Sequence, residues 1–346
     1  MSALGFKSIM GIGLQADYDT ALAAPTDKVP FYSESLVEEI ENLPDETLEG
    51  TPAVRDLHEN FRTNGGTVEV PLLYTELDTT YKSIDLLIAA AMGTCTWHAG
   101  SGTNILSLKD DLDVFLTKAI LKGSTVFENV GSCENNMTFN FAANDFAKVS
   151  FDSYAKLQRY SGTSFSQAEL EGLTNAINKL VPFKQVCFFI GDQVDALVDA
   201  DKLGTNAISL ALTNGMSEQE QQSCTDGGDT LYPMQPLRDD FRNADLTFTV
   251  PRYANETIKD WADNQTRLQA KIVCTLSASY TITIKMPHIK LMIPEINVGG
   301  PEKLVQNVTA KVLKNNGNSF MQTVASTNIT NEFVVELKND RTGSIL

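Results

Sequence analysis

The sequence of 346 residues predicts a mainly β (α+β) fold made of two tandem antiparallel β-sandwich or β-barrel domains, each with a flanking helix. Three observations support this prediction. Blocks of identical residues recur in the same order in the two halves of the chain. Apolar and polar residues alternate along many short segments, as they do in strands with one buried face. At the same point of each half, this alternation gives way to helical spacing.

The duplication is clearest where residues 61–76 are aligned with residues 241–256. The identical pairs in this ungapped window are Phe61/Phe241, Arg62/Arg242, Thr67/Thr247, Val70/Val250, Pro71/Pro251 and Glu76/Glu256. Shorter matches follow in the same order, pairing 129–131 with 297–299 and 147–149 with 310–312. Several blocks in one order indicate a duplicated domain.

The duplication divides the chain into five predicted parts. They are an N-terminal arm at 1–28, a first domain at 29–155, a helical linker at 156–180, a second domain at 181–314 and a C-terminal extension at 315–346. The arm has little periodicity, so we expect it to reach a neighbouring subunit or ring rather than to pack into its own core. The linker has capping-box spacing from Ser166 to Glu169, which predicts a short helix as far as about Leu180. In the extension, residues 333–337 alternate and predict one more strand.

Within the two domains, the alternating segments predict the strands. The clearest are 68–72, 137–141 and 149–151 in the first domain and 208–212, 246–250 and 282–286 in the second. Pro71 and Pro251 are expected at strand ends, where the chain passes on to a helix, because proline cannot donate to a sheet ladder. Helical spacing predicts helices at 75–92 and 255–263. The polar, glycine-containing segment 214–236 is expected to be a long exposed loop.

Composition and net charge argue against several classes of protein. The hydrophobic content of 42% and the charged content of 21% are those of a globular protein. A net charge of -17 argues against a protein that grips duplex DNA through a basic face. The first ten residues lack the apolar core of a signal peptide, and the apolar run at 84–92 is too short for a membrane span. The five scattered cysteines favour free thiols in a reducing cytoplasm.

No cofactor or metal site is predicted. Gly11, Gly13 and Ala16 match the spacing of a dinucleotide-binding turn, but the strand–turn–helix context that binds a pyrophosphate does not follow. His58, His98 and His288 are far apart, and only Cys95 lies close to one of them, so too few ligands are local for zinc. The acids at 192, 195, 199 and 201 lack the order of a calcium loop and are interpreted as a solvated face.

No catalytic residues are predicted either, and the chain is expected not to be an enzyme. The sequence contains no nucleophile-elbow, phosphate-loop or HExxH motif. Acid pairs such as Asp110-Asp111 and Asp239-Asp240 occur, but nothing in the sequence places two carboxylates across a cleft.

Five segments resemble the major tail proteins, or tail tube proteins, of long non-contractile-tailed bacteriophages. They are GIGLQADYDTALAAP, GTVEVPLLYTELDTTYKSIDLLIAAAMG, AISLALTNGM, LTFTVPRYANETIKDW and YTITIKMPHIKLMIPEINVGG, which spread the resemblance over most of 7–314. In that family, β-sandwich or β-barrel subunits form rings that stack into a hollow tube. One-domain members form hexameric rings, and the duplication favours a trimeric ring with pseudo-sixfold symmetry.

The resemblance implies partners and a location. The chain is expected to bind copies of itself, the tail terminator and baseplate proteins, and to enclose the tape-measure protein and genomic DNA without binding them specifically. It is expected in the virion tail after assembly in the host cytoplasm, with no membrane insertion. An acidic channel wall that lets DNA slide is also expected, with the polar strand faces around Glu134 and Asp145 as its first candidates.

Three other functions stay open at this point. A tail-terminator or baseplate hub protein would form a single ring that does not stack. A secreted-effector tube or a carbohydrate-binding β-sandwich is a further alternative, although Trp97 and Trp261 are far apart in the sequence. The last alternative is that the chain is an enzyme.

Overall fold

The computed structural model describes residues 7–22, 24–46, 54, 56–75, 82–160, 163–174, 178–217, 232–252, 256–293, 304–339 and 341–346. Strands dominate these ranges and their pairings are antiparallel, which confirms the mainly β prediction. Most of the predicted loop at 214–236 lies outside the described residues.

The strands and helices fall into two successive series. The first series is β1 (Ile9–Gln15), β2 (Asp27–Val29), β3 (Ser33–Glu34), β4 (Val37–Pro44), β5 (Leu57–Pro71), β6 (Leu73–Thr75), α1 (Ile84–Met92), β7 (Gly93–His98), β8 (Thr103–Leu108), β9 (Phe115–Lys122), β10 (Thr125–Ala142), β11 (Lys148–Ala155) and β12 (Leu157–Arg159). After the connecting α2 (Gln167–Gly172) and β13 (Asn178–Leu180), the second series is β14 (Val186–Asp192), β15 (Lys202–Leu203), β16 (Ala207–Thr213), β17 (Asn243–Val250), α3 (Thr257–Asp263), β18 (Leu268–Ser277), β19 (Tyr280–Leu291), β20 (Gln306–Val312) and β21 (Val334–Lys338).

The two series have the same topology. In the first, the hydrogen-bonded strand order is β2–β1–β9–β10–β11–β5–β4. In the second, it is β15–β14–β18–β19–β20–β17–β16. Each helix also occupies the same place in the chain, with α1 between β5 and β9 and α3 between β17 and β18. We call these series the first and second repeats. The first repeat begins at Ile9, earlier than the sequence predicts.

The expectation that residues 1–28 stay out of their own core is wrong for the described strands of this segment. Strand β1 pairs along its length with β9, and Met10 and Ile12 are buried in the main core. The alternating residues Gly11 and Gly13 hide this strand in the sequence, because they leave no apolar–polar contrast. A Cβ at Gly11 would lie 2.5 Å from a methyl carbon of Leu170, so the glycine lets α2 pack closely on β1.

The helices are shorter than predicted. In the first repeat, α1 begins at Ile84. Of the predicted helix at 75–92, residue 75 instead belongs to the strand that pairs with β13, and residues 76–81 lie outside the described residues. All nine residues of α1 are buried. The linker helix has the predicted capping box, in which the Ser166 side chain accepts from the backbone N–H of Glu169. It ends at Gly172, because residues 178–180 are the strand that pairs with β6.

The two prolines lie where the sequence predicts. Pro71 is the last residue of β5, and Pro251 directly follows β17. In the first repeat, however, the short strand β6 comes between the proline and the helix. The repeated block at 297–299 falls outside the described residues.

The match between 147–149 and 310–312 does not mark equivalent positions. Val149 lies opposite Val70, and Gln306 lies opposite Val250. Since Val70 and Val250 are repeat equivalents, the ladder makes Val149 equivalent to Gln306 and not to Val312. A three-residue match was therefore too short to establish which residues of β11 and β20 are equivalent.

Two pairings join the repeats into one sheet system. Strand β16 of the second repeat pairs with the C-terminal half of β10 in the first. Strand β21, which confirms the strand predicted in the C-terminal extension, pairs with β19 on one side and β8 on the other. One apolar core extends across both repeats beneath these sheets.

Candidate functional site: the polar face of a six-stranded sheet

Six neighbouring strands, three from each repeat, expose a continuous polar surface. In spatial order they are β5, β11, β10, β16, β17 and β20. Their alternate side chains enter the core, as Met137, Phe139 and Phe141 of β10 do. The intervening side chains form what we call the polar face. It is continuous because the β10–β16 pairing joins the two repeats.

Short neutral side chains make up most of the polar face. One row across the strands is Glu69, Ser150, Thr138, Ala211, Asp245 and Lys311, and the next is Lys148, Asn140, Ser209, Thr247 and Thr309. The sequence contains the signal for this surface in the polar members of the alternating strands. It does not show that strands from both repeats lie side by side.

Hydrogen bonds between neighbouring strands restrain side chains of the polar face. The Ser209 hydroxyl donates to Asn140 Oδ1 at 2.8 Å, across the junction between the repeats. The Thr249 hydroxyl donates to Asn307 Oδ1 at 3.0 Å. These two bonds each occupy a hydroxyl donor and an amide oxygen acceptor of the surface.

The lysines of the polar face are paired with acids. Lys311 Nζ lies 2.6 Å from Asp245 Oδ1. Lys148 Nζ lies 2.9 Å from Asp145 Oδ2 and 3.8 Å from Glu69 Oε1. The hydrogen bond from Lys148, with that from the Phe146 backbone N–H, lowers the pKa of Asp145. This surface is therefore closer to charge-balanced than the net charge of the chain suggests.

Asp145 borders this surface, but the expectation for Glu134 is wrong. Glu134 is fully buried, with Oε1 2.7 Å from Lys118 Nζ, and Lys118 donates to Ser153 Oγ at 3.0 Å. Burial raises the pKa of Glu134, and the Lys118 charge opposes this rise. The physical reason for the burial is a bulge between Glu134 and Asn136. After the bulge, the even-numbered side chains of β10, such as Thr138 and Asn140, point outward. Before it, the alternation is reversed, so the even-numbered Glu134 points inward.

The residues considered for metals do not come together. His98 Nδ1 lies 2.8 Å from Ser101 Oγ, and His288 Nδ1 lies 3.1 Å from the Lys314 carbonyl oxygen. Burial lowers the pKa of His288. Among the described residues, no three His, Cys, Asp or Glu side chains are grouped so that they could hold a metal ion.

The other candidates of the sequence also have local explanations. Trp261 of α3 packs against the main core, as its helical position predicts. Gly11 and Gly13, which match the dinucleotide spacing, lie inside β1 rather than in a turn before a helix. Among the described residues, no helix has the length and apolar character needed to cross a membrane.

Comparison with curated proteins gave no match. The family model described as phage tail tube protein matches residues 5–312, which include the whole polar face and both repeats apart from β21. This agrees with the resemblance found in five separate segments of the sequence. The chain belongs to the phage tail tube protein family and is a structural component of the virion tail that self-assembles into its tube.

Proposed function

We propose that three copies of this chain form a closed ring with pseudo-sixfold symmetry, and that such rings stack into a hollow tube through which genomic DNA leaves the virion. The observation on which this rests is the sheet junction inside one chain. There, residues 207–213 of β16 lie opposite residues 136–142 of β10, so one repeat already extends the sheet of the other.

The first repeat has an equivalent of β16 that is left without such a partner. Ala207 lies opposite Thr249, and Ser33 lies opposite Glu69, the repeat equivalent of Thr249. Residues 33–39, at β3 and the start of β4, therefore correspond to β16. In the described residues, β5 is the sole strand that pairs with β3 or β4.

The second repeat presents the start of an equivalent edge at 292–293, and the residues that follow it lie outside the described ones. Strand β19 is the equivalent of β10, and its ladder with β20 continues where the Met292 N–H donates to the Thr309 carbonyl at 2.8 Å. The side chains of Met292 and Ile293 are exposed. A second copy that placed residues 33–39 along this edge would repeat the junction found inside the chain.

A closed ring explains how exposed edges are tolerated. A free sheet edge promotes open-ended aggregation, whereas a ring ends the pairing at a fixed number of copies. With six repeats in the ring, as in hexameric one-domain tail tubes, three duplicated chains suffice.

The polar face would then line the channel, because it runs unbroken across the junction between repeats. Tight DNA binding requires several free Lys or Arg side chains that displace counterions from phosphate. Lys148 and Lys311 are held by carboxylates, so the wall gives DNA little to bind. The tape-measure protein would occupy the same channel before ejection, and terminator and baseplate proteins would close the tube ends.

Negative-stain electron microscopy of the purified chain tests this proposal. Long tubes with a regular axial repeat and three chains per ring are expected. Single rings that do not stack would favour a tail terminator or baseplate hub. Monomers at all concentrations would overturn the ring.

A further inference from the structure

The two copies of one repeated phenylalanine have opposite environments. Phe61 and Phe241 occupy the same place in the two repeats, each directly before an arginine. The exposed fraction of Phe61 is 8%, whereas that of Phe241 is 92%. A closed ring of equivalent repeats would remove this difference, because each second repeat would then meet a first repeat of the next copy.

In the first repeat, the residue after this phenylalanine contacts the second repeat. The guanidinium carbon of Arg62 lies 5.8 Å from the centre of the Tyr232 ring. The Tyr18 hydroxyl donates to the Pro233 carbonyl at 3.5 Å. Both contacts come from the segment that leads into β17 of the second repeat, so this segment reaches the first repeat at Arg62, the residue after Phe61 in β5.

Phe241 has no equivalent neighbour within the described part of its own chain. Arg242 instead binds the carboxylates of Glu332, at 3.2 Å, and Asp110, at 3.5 Å. The nearby Leu237 is exposed as well. Phe241 lies just before β17, two strands away in the sheet from β19, whose end at 292–293 also has exposed apolar side chains.

The first repeat presents the complementary set. Residues 232–242 correspond to 52–62, a range that covers the end of the β4–β5 connection and the start of β5. Apolar side chains are exposed along β4 and its return into β5, namely Val37, Ile40, Leu43, Val54 and Leu57. This set and the Phe241 set therefore belong to opposite sides of the junction that is already made once inside the chain.

We propose that Phe241 is the anchor of the contact between successive copies of this chain, where it packs against the β4–β5 hairpin of the next copy. This inference rests on the proposed ring. It adds that the copy-to-copy contact reproduces the contact between the two repeats of one chain, with residues 241–242 in the place of 61–62. Aromatic side chains that enter a partner surface commonly dominate such interfaces.

A photo-crosslinker placed at position 241 of the full chain tests the contact directly. Assembly from a mixture of ¹⁵N-labelled and unlabelled chains separates crosslinks between copies from those within one copy. Crosslinks between position 241 of one copy and peptides spanning 37–57 of another are expected. Crosslinks between copies that fall elsewhere would overturn the inference.

A substitution tests the energetic role. Phe241→Ser should leave the far-UV spectrum and thermal unfolding of the monomer unchanged, because the side chain is exposed. It should raise the protein concentration needed for tube formation at least tenfold. Val194→Ser is the matched control, since Val194 is 71% exposed in the same repeat but outside both apolar sets.

The outcomes separate the two proposals. Wild-type tubes together with unimpaired tubes of Phe241→Ser would reject the anchor and leave the ring intact. A wild-type chain that never assembles would reject both. An equal loss of assembly in the Val194→Ser control would also reject a specific role for Phe241.

Discussion

At the scale of single residues, the pair of Lys118 and Glu134 stands out because burying its two charges carries a large desolvation free energy. Neither side chain is exposed, and the two charges are 2.7 Å apart. The equivalent strands of the second repeat carry apolar core residues on this face, such as Ile272 and Ile289. The fold itself therefore does not require an ion pair at this place.

Lys118→Met should destabilise the chain by about 3–5 kcal/mol, because it leaves the Glu134 carboxylate buried without its cation. The double variant Lys118→Met/Glu134→Leu should recover most of this loss. Urea unfolding of the monomer measures both effects. A double variant no more stable than the single one would show that the pair is needed for packing rather than for charge compensation.

The cysteines should differ in reactivity. Burial, and then the nearby Glu134 charge, raises the pKa of Cys133 to about 12, and burial also raises the pKa of Cys274. A raised pKa keeps the thiol protonated and unreactive at pH 8. Cys187 is exposed. Iodoacetamide should label Cys187 in the native protein and reach Cys133 and Cys274 after unfolding, as peptide mass spectrometry would show. Rapid native labelling of Cys133 would contradict its placement.

At the scale of elements, the C-terminal extension is an integral part of the fold. Strand β21 bridges a sheet edge of each repeat, and Ile345 is buried in the core. Arg341 Nη2 lies 3.2 Å from Asp85 Oδ2 in the buried helix α1. The extension thus neutralises a charge that the first repeat buries.

Arg341→Met should make stability depend on pH. Burial raises the pKa of Asp85, and Arg341 opposes this rise. Without the arginine, the chain should fold most readily when Asp85 is protonated. The stability that protonated Asp85 contributes to the fold is therefore present at low pH and is lost as pH rises through the folded-state pKa of Asp85. Thermal unfolding should show a larger deficit relative to wild type at pH 7.5 than at pH 4. An equal deficit at both pH values would mean that Arg341 acts through packing alone.

At the scale of the whole molecule, the paired charges of the polar face should determine how strongly the tube retains DNA. Tubes of the triple variant Glu69→Gln/Asp145→Asn/Asp245→Asn should retain duplex DNA, because Lys148 and Lys311 lose their carboxylate partners. Retention should fall steeply with salt. Cosedimentation of short duplex DNA with assembled tubes measures it, with wild-type tubes expected to retain little. The same number of acid-to-amide changes at Asp113, Asp199 and Asp263, which lie outside the polar face, is the control. Equal retention by both variants would place the binding outside the channel.

The sequence by itself determined the features that depend on neighbours along the chain. Period-two alternation located strands such as 137–141, and the capping box at Ser166 located the linker helix. Proline chemistry placed Pro71 and Pro251 at strand ends. The repeated block around them revealed the duplication, and the resemblance pointed to the family.

The tertiary structure alone decided the features that depend on which strands lie side by side. A bulge turned Glu134 inward, and pairing with β9 drew β1 into the core. Phe61 and Phe241 are identical in sequence, yet one is buried and the other exposed. Local sequence cannot distinguish them, because burial depends on surface supplied by distant residues, which for Phe241 we infer to come from a second copy of the chain.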